Sequence, residues 1–214
     1  MTILSTEIAV CPLDGTEYEY VGLLSYGTYG CGLDGLPVAL TPMPHRIPRC
    51  PTCVFPAWID KLSDAELVKA RALVETPVYA AMTREPSYAH LDFVLSELGR
   101  SDPVQRADHL LKACWQTSTG SPEYAAYALA LGEAAEAASE AVLAVGVENW
   151  ATFQSFVANV ERQAGDFKRA AARLDQIDAA SAADARMEER ITLTRRLIAN
   201  RDRRRVGTVP TEAT

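Results

Sequence analysis

Four of the five cysteines of this 214-residue chain, Cys11, Cys31, Cys50 and Cys53, fall within its first 53 residues. Cys50-Pro-Thr-Cys53 is the most informative pair. Two thiolates three positions apart, with a proline between them, suit a tight turn that aims both sulfurs at one ion. Backbone N–H groups in such a turn also stabilise thiolate charge. Cys11-Pro-Leu-Asp14-Gly15 has the same outline, with Asp14 where a second cysteine is expected. A structural zinc site takes four ligands in a tetrahedron. Cys11, Cys50 and Cys53 supply three, and the fourth is Cys31, Asp14 or His45. An all-thiolate set suits zinc in a closed site, so Cys31 is the expected choice, although Asp14 holds the better sequence position. The expected cofactor is zinc and the expected set is Cys11, Cys31, Cys50 and Cys53. Two rivals use the same residues: a degenerate ribbon that has lost its metal, and a redox dithiol. The latter normally sits between a strand and a helix in a βαβ unit, and no such unit is visible here.

No residues point firmly to catalysis. The chain has three histidines, His45, His90 and His109. His109 and Cys114 share a predicted helix, but five residues turn a helix by about 500°, leaving them about 140° apart. Cys114 lies on an apolar stripe and reads as core. No GxSxG, HExxH or Walker-type phosphate loop occurs. The scattered glycines of Gly27–Gly32 precede no helix. Glu188-Glu189 and the set Glu133, Glu136 and Glu140 read as solvated helix faces. Three cysteines with one water would make an open zinc site able to hydrolyse, but the base it needs is not singled out among Asp14, Glu17 and Asp34.

The elements that must position the cysteines differ from the rest of the chain. Residues 1–59 hold 6 of the 12 glycines and 7 of the 12 prolines, with short apolar runs at Tyr18–Leu24 and Leu36–Leu40. That is the pattern of short strands and turns. Such a segment is too small for a firm core, and a metal staple would offset this. From Ser63 the pattern turns helical. Ser63-Asp-Ala-Glu66 is a capping box. Thr76-Pro77, Asp102-Pro103 and Ser121-Pro122 are further helix starts. Val104, Ala107, Leu110, Leu111, Cys114 and Trp115 form one apolar stripe. Between Pro122 and Pro210 there is no proline, so this stretch predicts helix, with breaks near Gly146–Asn149, Gly165-Asp166 and Ser181. The end, from Arg201 to Arg205 and onward, predicts a solvated helix terminus and a flexible tail.

Gly99, Gly132 and Gly165 recur at equal intervals. Glu161-Arg-Gln-Ala-Gly165-Asp-Phe167-Lys-Arg-Ala170 resembles the turn and second-helix start of a tetratricopeptide repeat, a unit of about 34 residues. The order of features over residues 9–180 resembles the bacterial domain-of-unknown-function family 2225. In that family CPxC, a linker and CPxCGYA precede helices that end in a tetratricopeptide-like segment. Here Cys11-Pro-Leu-Asp14-Gly15 takes the first motif and Cys50-Pro-Thr-Cys53-Val54-Phe-Pro-Ala57 the second. Asp14 stands for a cysteine and Val54 for a glycine of the pattern. Ala107–Trp115 and Gln163–Ala170 look like its later segments. The resemblance implies a zinc-binding, protein-binding module and no known reaction.

The expected fold is mainly α. A small β-rich, zinc-ribbon-like module (1–60) is followed by an antiparallel helical-hairpin, tetratricopeptide-like array (61–200) and a tail (201–214). A net charge of −7 and pI near 5.1 argue against bulk nucleic-acid binding, which needs many cations against phosphate. No run of about 20 apolar residues predicts a membrane span. The opening residues lack the features of an export signal, so a reducing cytoplasmic setting is expected. The function expected is non-enzymatic: a scaffold with a helical groove for a protein partner. Trp58, Trp115, Trp150, Tyr79, Tyr88, Tyr124 and Tyr127 are candidate anchors, most of them expected in the core. A zinc hydrolase and a nucleic-acid-binding ribbon are the alternatives; the latter has only Arg46, Arg49 and Lys61 to offer. A homodimer stays open.

Overall fold

The computed structural model describes residues 3–25, 27–39, 44–59, 61–179 and 185–207. Among these the chain is mainly helical. Four short strands come first: β1 (Ile3–Val10), β2 (Glu17–Ser25), β3 (Thr28–Cys31) and β4 (Pro37–Ala39). Helices follow: α1 (Asp64–Val74), α2 (Pro77–Met82), α3 (Ser87–Leu98), α4 (Pro103–Gln116), α5 (Pro122–Ala137), α6 (Ser139–Val145), α7 (Val147–Ala164), α8 (Phe167–Ala179) and α9 (Ala185–Ala199). None of the described helices is long and apolar enough to cross a membrane.

The helix starts lie where local chemistry puts them. Ser63 Oγ accepts from Glu66 N while Ser63 N donates to the Glu66 carboxylate at 2.8 Å. Thr76, Asp102 and Ser121 each accept a backbone N–H of the first turn at 2.9–3.1 Å, ahead of proline at the first helical position. Each satisfies a donor that the helix cannot pair itself. Gly146 separates α6 from α7 and Gly165 closes α7, as expected. A further break at Ala138, which splits α5 from α6, has no glycine or proline to announce it. The break expected near Ser181 lies outside the described residues. Of the evenly spaced glycines, Gly99 and Gly165 are left-handed helix ends, with φ of 79° and 96°. Gly132 lies buried inside α5 against the Arg169 and Glu161 side chains, so the spacing does not mark three equivalent turns.

The chain divides into two compact units, Met1–Gly27 with Leu40–Ser101, and Thr28–Ala39 with Asp102–Thr214. The division differs from the expected boundary at residue 60 because α1–α3 complete the first unit. There β1 and β2 form an antiparallel hairpin, and the loop that carries the second cysteine pair is tied to α2 and α3. Arg49 donates to the carbonyls of Thr83 and Glu85 at 2.7 and 3.0 Å, Ile47 N to Ser87 Oγ at 3.0 Å, and Tyr79 Oη to the Cys53 carbonyl at 3.1 Å. Ile47, Phe55, Ile59, Tyr88, Leu91 and Val94 are buried there.

In the second unit the β3–β4 hairpin packs with α4–α9. Its core joins Leu110, Leu111, Cys114, Tyr124, Leu131, Val157 and Val160, and a second cluster gathers Trp150, Leu174, Ile177 and Ile191. Cys114 is therefore core, as its place on the stripe predicts. Residues 201–207 are docked rather than loose, against the expectation of a flexible tail from 201. Arg162, fully buried, donates to the carbonyls of Asp202 and Arg204, and Arg205 pairs with buried Asp34 at 2.8 Å. The rest of the expected tail, 208–214, lies outside the described residues.

Candidate metal centre

The β1–β2 register pairs Val10 with Glu17, so residues 11–16 must turn the chain. Cys11 N donates to the Thr16 carbonyl at 2.9 Å and Gly15 N to the Cys11 carbonyl at 3.0 Å, with Gly15 at φ +74°. The Cys50 turn repeats this bond for bond. Cys50 N donates to the Phe55 carbonyl and Val54 N to the Cys50 carbonyl, both at 2.9 Å, with Val54 at φ +62°. The two turns are the same knuckle, and in it Asp14 holds the place of Cys53. Val54 occupies the left-handed region, which costs a branched L-residue about 1–2 kcal/mol. Val54→Gly is therefore expected to raise stability by about 1 kcal/mol after glycine's extra unfolded-state entropy is subtracted, read as a higher midpoint in urea with an unchanged slope.

The paired knuckles bring Cys11, Asp14, Cys50 and Cys53 together, with one ligand atom from each within 4.8 Å of all the others, a group that could hold a metal ion. Cys11 Sγ lies 3.5 Å from Cys53 Sγ, and Cys50 Sγ lies 3.6 and 3.8 Å from the two Asp14 oxygens. Donors about 2.0–2.3 Å from a tetrahedral ion lie about 3.3–3.8 Å apart, so these separations fit one shared ion. Thr16 N donates to Asp14 Oδ1 at 2.9 Å, Thr52 N points at Cys50 Sγ at 3.4 Å, and the Thr16 and Thr52 hydroxyls meet at 3.2 Å across the knuckles.

The charges follow from these contacts. The Thr16 N–H holds the Asp14 carboxyl down at about 2. Burial pushes the Cys11 and Cys53 thiols up. At Cys50 burial also raises the thiol, but the N–H groups of Cys53 and Thr52, with the neighbouring thiols, outweigh it and leave it below its ordinary value. Tyr18, pushed up to about 12 by burial and then by the nearby sulfurs, stays a neutral phenol beside them. Three sulfurs this close resist ionising together unless a cation shares the site, which is what a bound metal supplies.

Three of the four expected ligands meet here, and Cys31 does not. It stands on β3 in the second unit, where its Sγ is 3.9 Å from Arg190 Nη1. The reason is the repeated knuckle: the turn presents its first and fourth residues together, and in the first turn those are Cys11 and Asp14. The signal was present in the sequence as the matching positions of Gly15 and Val54. His45, the third alternative, is half-buried and outside the donor group. Of the base candidates, Asp34 lies in the second unit in its pair with Arg205, and Glu17 is exposed on β2. Of the seven candidate anchors only Trp58 is exposed; it packs edge-on against Tyr88 at 5.8 Å.

His90 lies in the same unit, fully buried, its ring 5.0 Å from that of Tyr79, with neither ring nitrogen hydrogen-bonded. Burial, and then the charge of Arg49, push it down to about 4 from an ordinary 6.5. The unfolded chain takes up the proton first as pH falls, so stability is full above 6.5 and is lost between 6.5 and 4, at up to about 1.4 kcal/mol per pH unit. His90→Phe is expected to flatten that slope; the check is the difference in denaturant stability between the two metal-loaded chains across this window.

Set beside known proteins, the chain matches no protein-family model, no curated protein and no solved structure.

Proposed function

We propose that Cys11, Asp14, Cys50 and Cys53 hold one structural zinc ion, and that the chain is a non-enzymatic protein-binding module stapled by it. The observation that carries the zinc reading is the pair of matching knuckles that brings four donors within 4.8 Å of one another, with Cys11–Cys53 at 3.5 Å and Cys50–Asp14 at 3.6–3.8 Å. Three thiolates favour a borderline-soft ion, and a tetrahedral set of sulfur with one oxygen favours zinc over magnesium or calcium. The ion would join residues 11–14 to residues 50–53, two segments of one unit that carry few large buried side chains of their own. In this reading the hairpin and the second knuckle form a zinc-ribbon-like element, and the relation to family 2225 follows from the same two knuckles. Four protein donors fill a tetrahedron, which favours a structural ion over a hydrolytic one. None of the five cysteines is in a disulfide, which suits a reducing compartment such as the cytoplasm.

Two features support binding. On one face of the β1–β2 hairpin Leu4, Ile8, Val10 and Val21 are 51–64% exposed, more aliphatic surface than a free hairpin gains from showing. In the second unit α7 and α8 pack together around the Gly165 turn, with Ala170 buried, as in a tetratricopeptide-like pair. The deciding experiment is elemental analysis of the full chain purified without added metal. About one zinc per chain is expected; a chain that stays metal-free after reconstitution with zinc defeats the reading. For the binding half, a partner captured by the wild-type chain is expected to be lost with Ile8→Lys.

A further inference from the structure

The four donors are not equally enclosed. Cys11 and Cys50 are 3% and 1% exposed, Cys53 is half-buried, and Asp14 alone is exposed. Its carboxylate also has a second support, since Oδ1 accepts the Thr16 N–H at 2.9 Å within its own knuckle. The bonds that shape that knuckle run between Cys11, Gly15 and Thr16 main-chain atoms and do not use the Asp14 side chain. The Thr16–Thr52 hydroxyl contact holds the two knuckles together on the exposed side. Asp14 can therefore leave the donor group with both turns intact. It is also the one hard oxygen among three soft sulfurs, the poorest match to a borderline-soft ion.

We propose that the Asp14 corner is an exchange position, at which a low-molecular-weight thiol from solution replaces the carboxylate while Cys11, Cys50 and Cys53 keep the ion. This rests on the metal reading above. The exchange balances without any oxidant. The incoming thiol gives its proton to solvent and its sulfur bonds to the ion; the bond from the ion to the Asp14 oxygen breaks, and the carboxylate leaves as an anion hydrogen-bonded to Thr16 N–H. One anion replaces another, so the charge at the centre is unchanged. The staple is thereby made sensitive to free thiol, and its fourth ligand reports thiol concentration without loss of metal.

The test uses the full chain loaded with cobalt(II) as a spectroscopic probe and kept reduced by a phosphine. Titration with 2-mercaptoethanol is expected to raise the sulfur-to-cobalt charge-transfer absorbance by roughly a third, as three sulfurs become four, and to saturate with cobalt still bound after gel filtration. Asp14→Cys is expected to start at the higher intensity and not respond. Asp14→Ala is expected to respond at lower thiol, because its competitor is gone. A wild-type spectrum that stays flat, or cobalt stripped in step with added thiol, overturns the exchange while the metal reading stands. A wild-type chain that takes up no cobalt and no zinc overturns both. The wild-type titration decides the matter even if a variant fails to fold.

Discussion

Cys50→Ser is expected to take the zinc content from about one per chain to near zero and to unfold the first unit at neutral pH, whereas Cys31→Ser is expected to leave metal content and stability unchanged. Apparent free energies for structural zinc in small domains are about 10–16 kcal/mol, so a lost thiolate removes far more than a packing defect would. Cys50 is the most enclosed of the donors, 1% exposed, and its sulfur faces both the Thr52 N–H and the Asp14 carboxylate. Serine offers a hydroxyl that stays protonated and is too short to replace the sulfur. Elemental analysis gives the first readout. The second is a urea melt followed by tryptophan fluorescence, since Trp58 belongs to the first unit and Trp115 and Trp150 to the second. The early loss is expected in the Trp58 signal alone. Metal lost in Cys31→Ser as well as in Cys50→Ser would restore the all-thiolate set, and metal retained in Cys50→Ser would undo the ligand assignment.

The contrast between those two cysteines shows what the sequence carries. Cys50 and Cys53 sit within one turn, so their meeting is a local fact that spacing records. The helix caps at Ser63, Thr76, Asp102 and Ser121 are local in the same way, which is why the starts of α1, α2, α4 and α5 were legible. Cys31 has no such turn. Its surroundings are set by Arg190, which also donates to the Gly32 and Leu33 carbonyls from far along the chain. A preference for four thiolates is a statement about ligands, and the backbone bonds of the knuckle outweigh it. The unit boundary was hidden for the same reason. Arg49 reaches the carbonyls beyond α2, and Asp34 reaches the chain's last described residues; composition changes at residue 60 without recording either. Gly132 shows that spacing alone does not make a turn. Its equal spacing is matched by no turn; it lies within the Ala-rich α5, where the ends of the Arg169 and Glu161 side chains approach its Cα.

Ending the chain after Asn200 is expected to cost the second unit about 3 kcal/mol, although the residues removed begin with a charged run that reads as solvated. Arg162 is fully buried on α7, and its acceptors are the Asn159 side chain and the carbonyls of Asp202 and Arg204. Asp34 is equally buried; it accepts from Gln163 Nε2 at 3.3 Å and Leu36 N at 3.2 Å, but its cationic partner is Arg205 at 2.8 Å. Truncation takes away two acceptors and one cation together. Stranding a buried charge by removing its partner costs about 3–5 kcal/mol. Water reaching the uncovered groups keeps the loss near the lower figure. Arg162→Met in the truncated chain is expected to recover part of it, because the guanidinium that lost its carbonyls is then gone as well. In the full-length chain the same substitution is expected to destabilise, leaving those carbonyls without their donor. That reversal of sign, read from denaturant midpoints of the four chains, separates a docked segment that satisfies buried charge from one that merely covers surface. If truncation and Arg162→Met prove additive, the buried guanidinium and the segment do not act on each other.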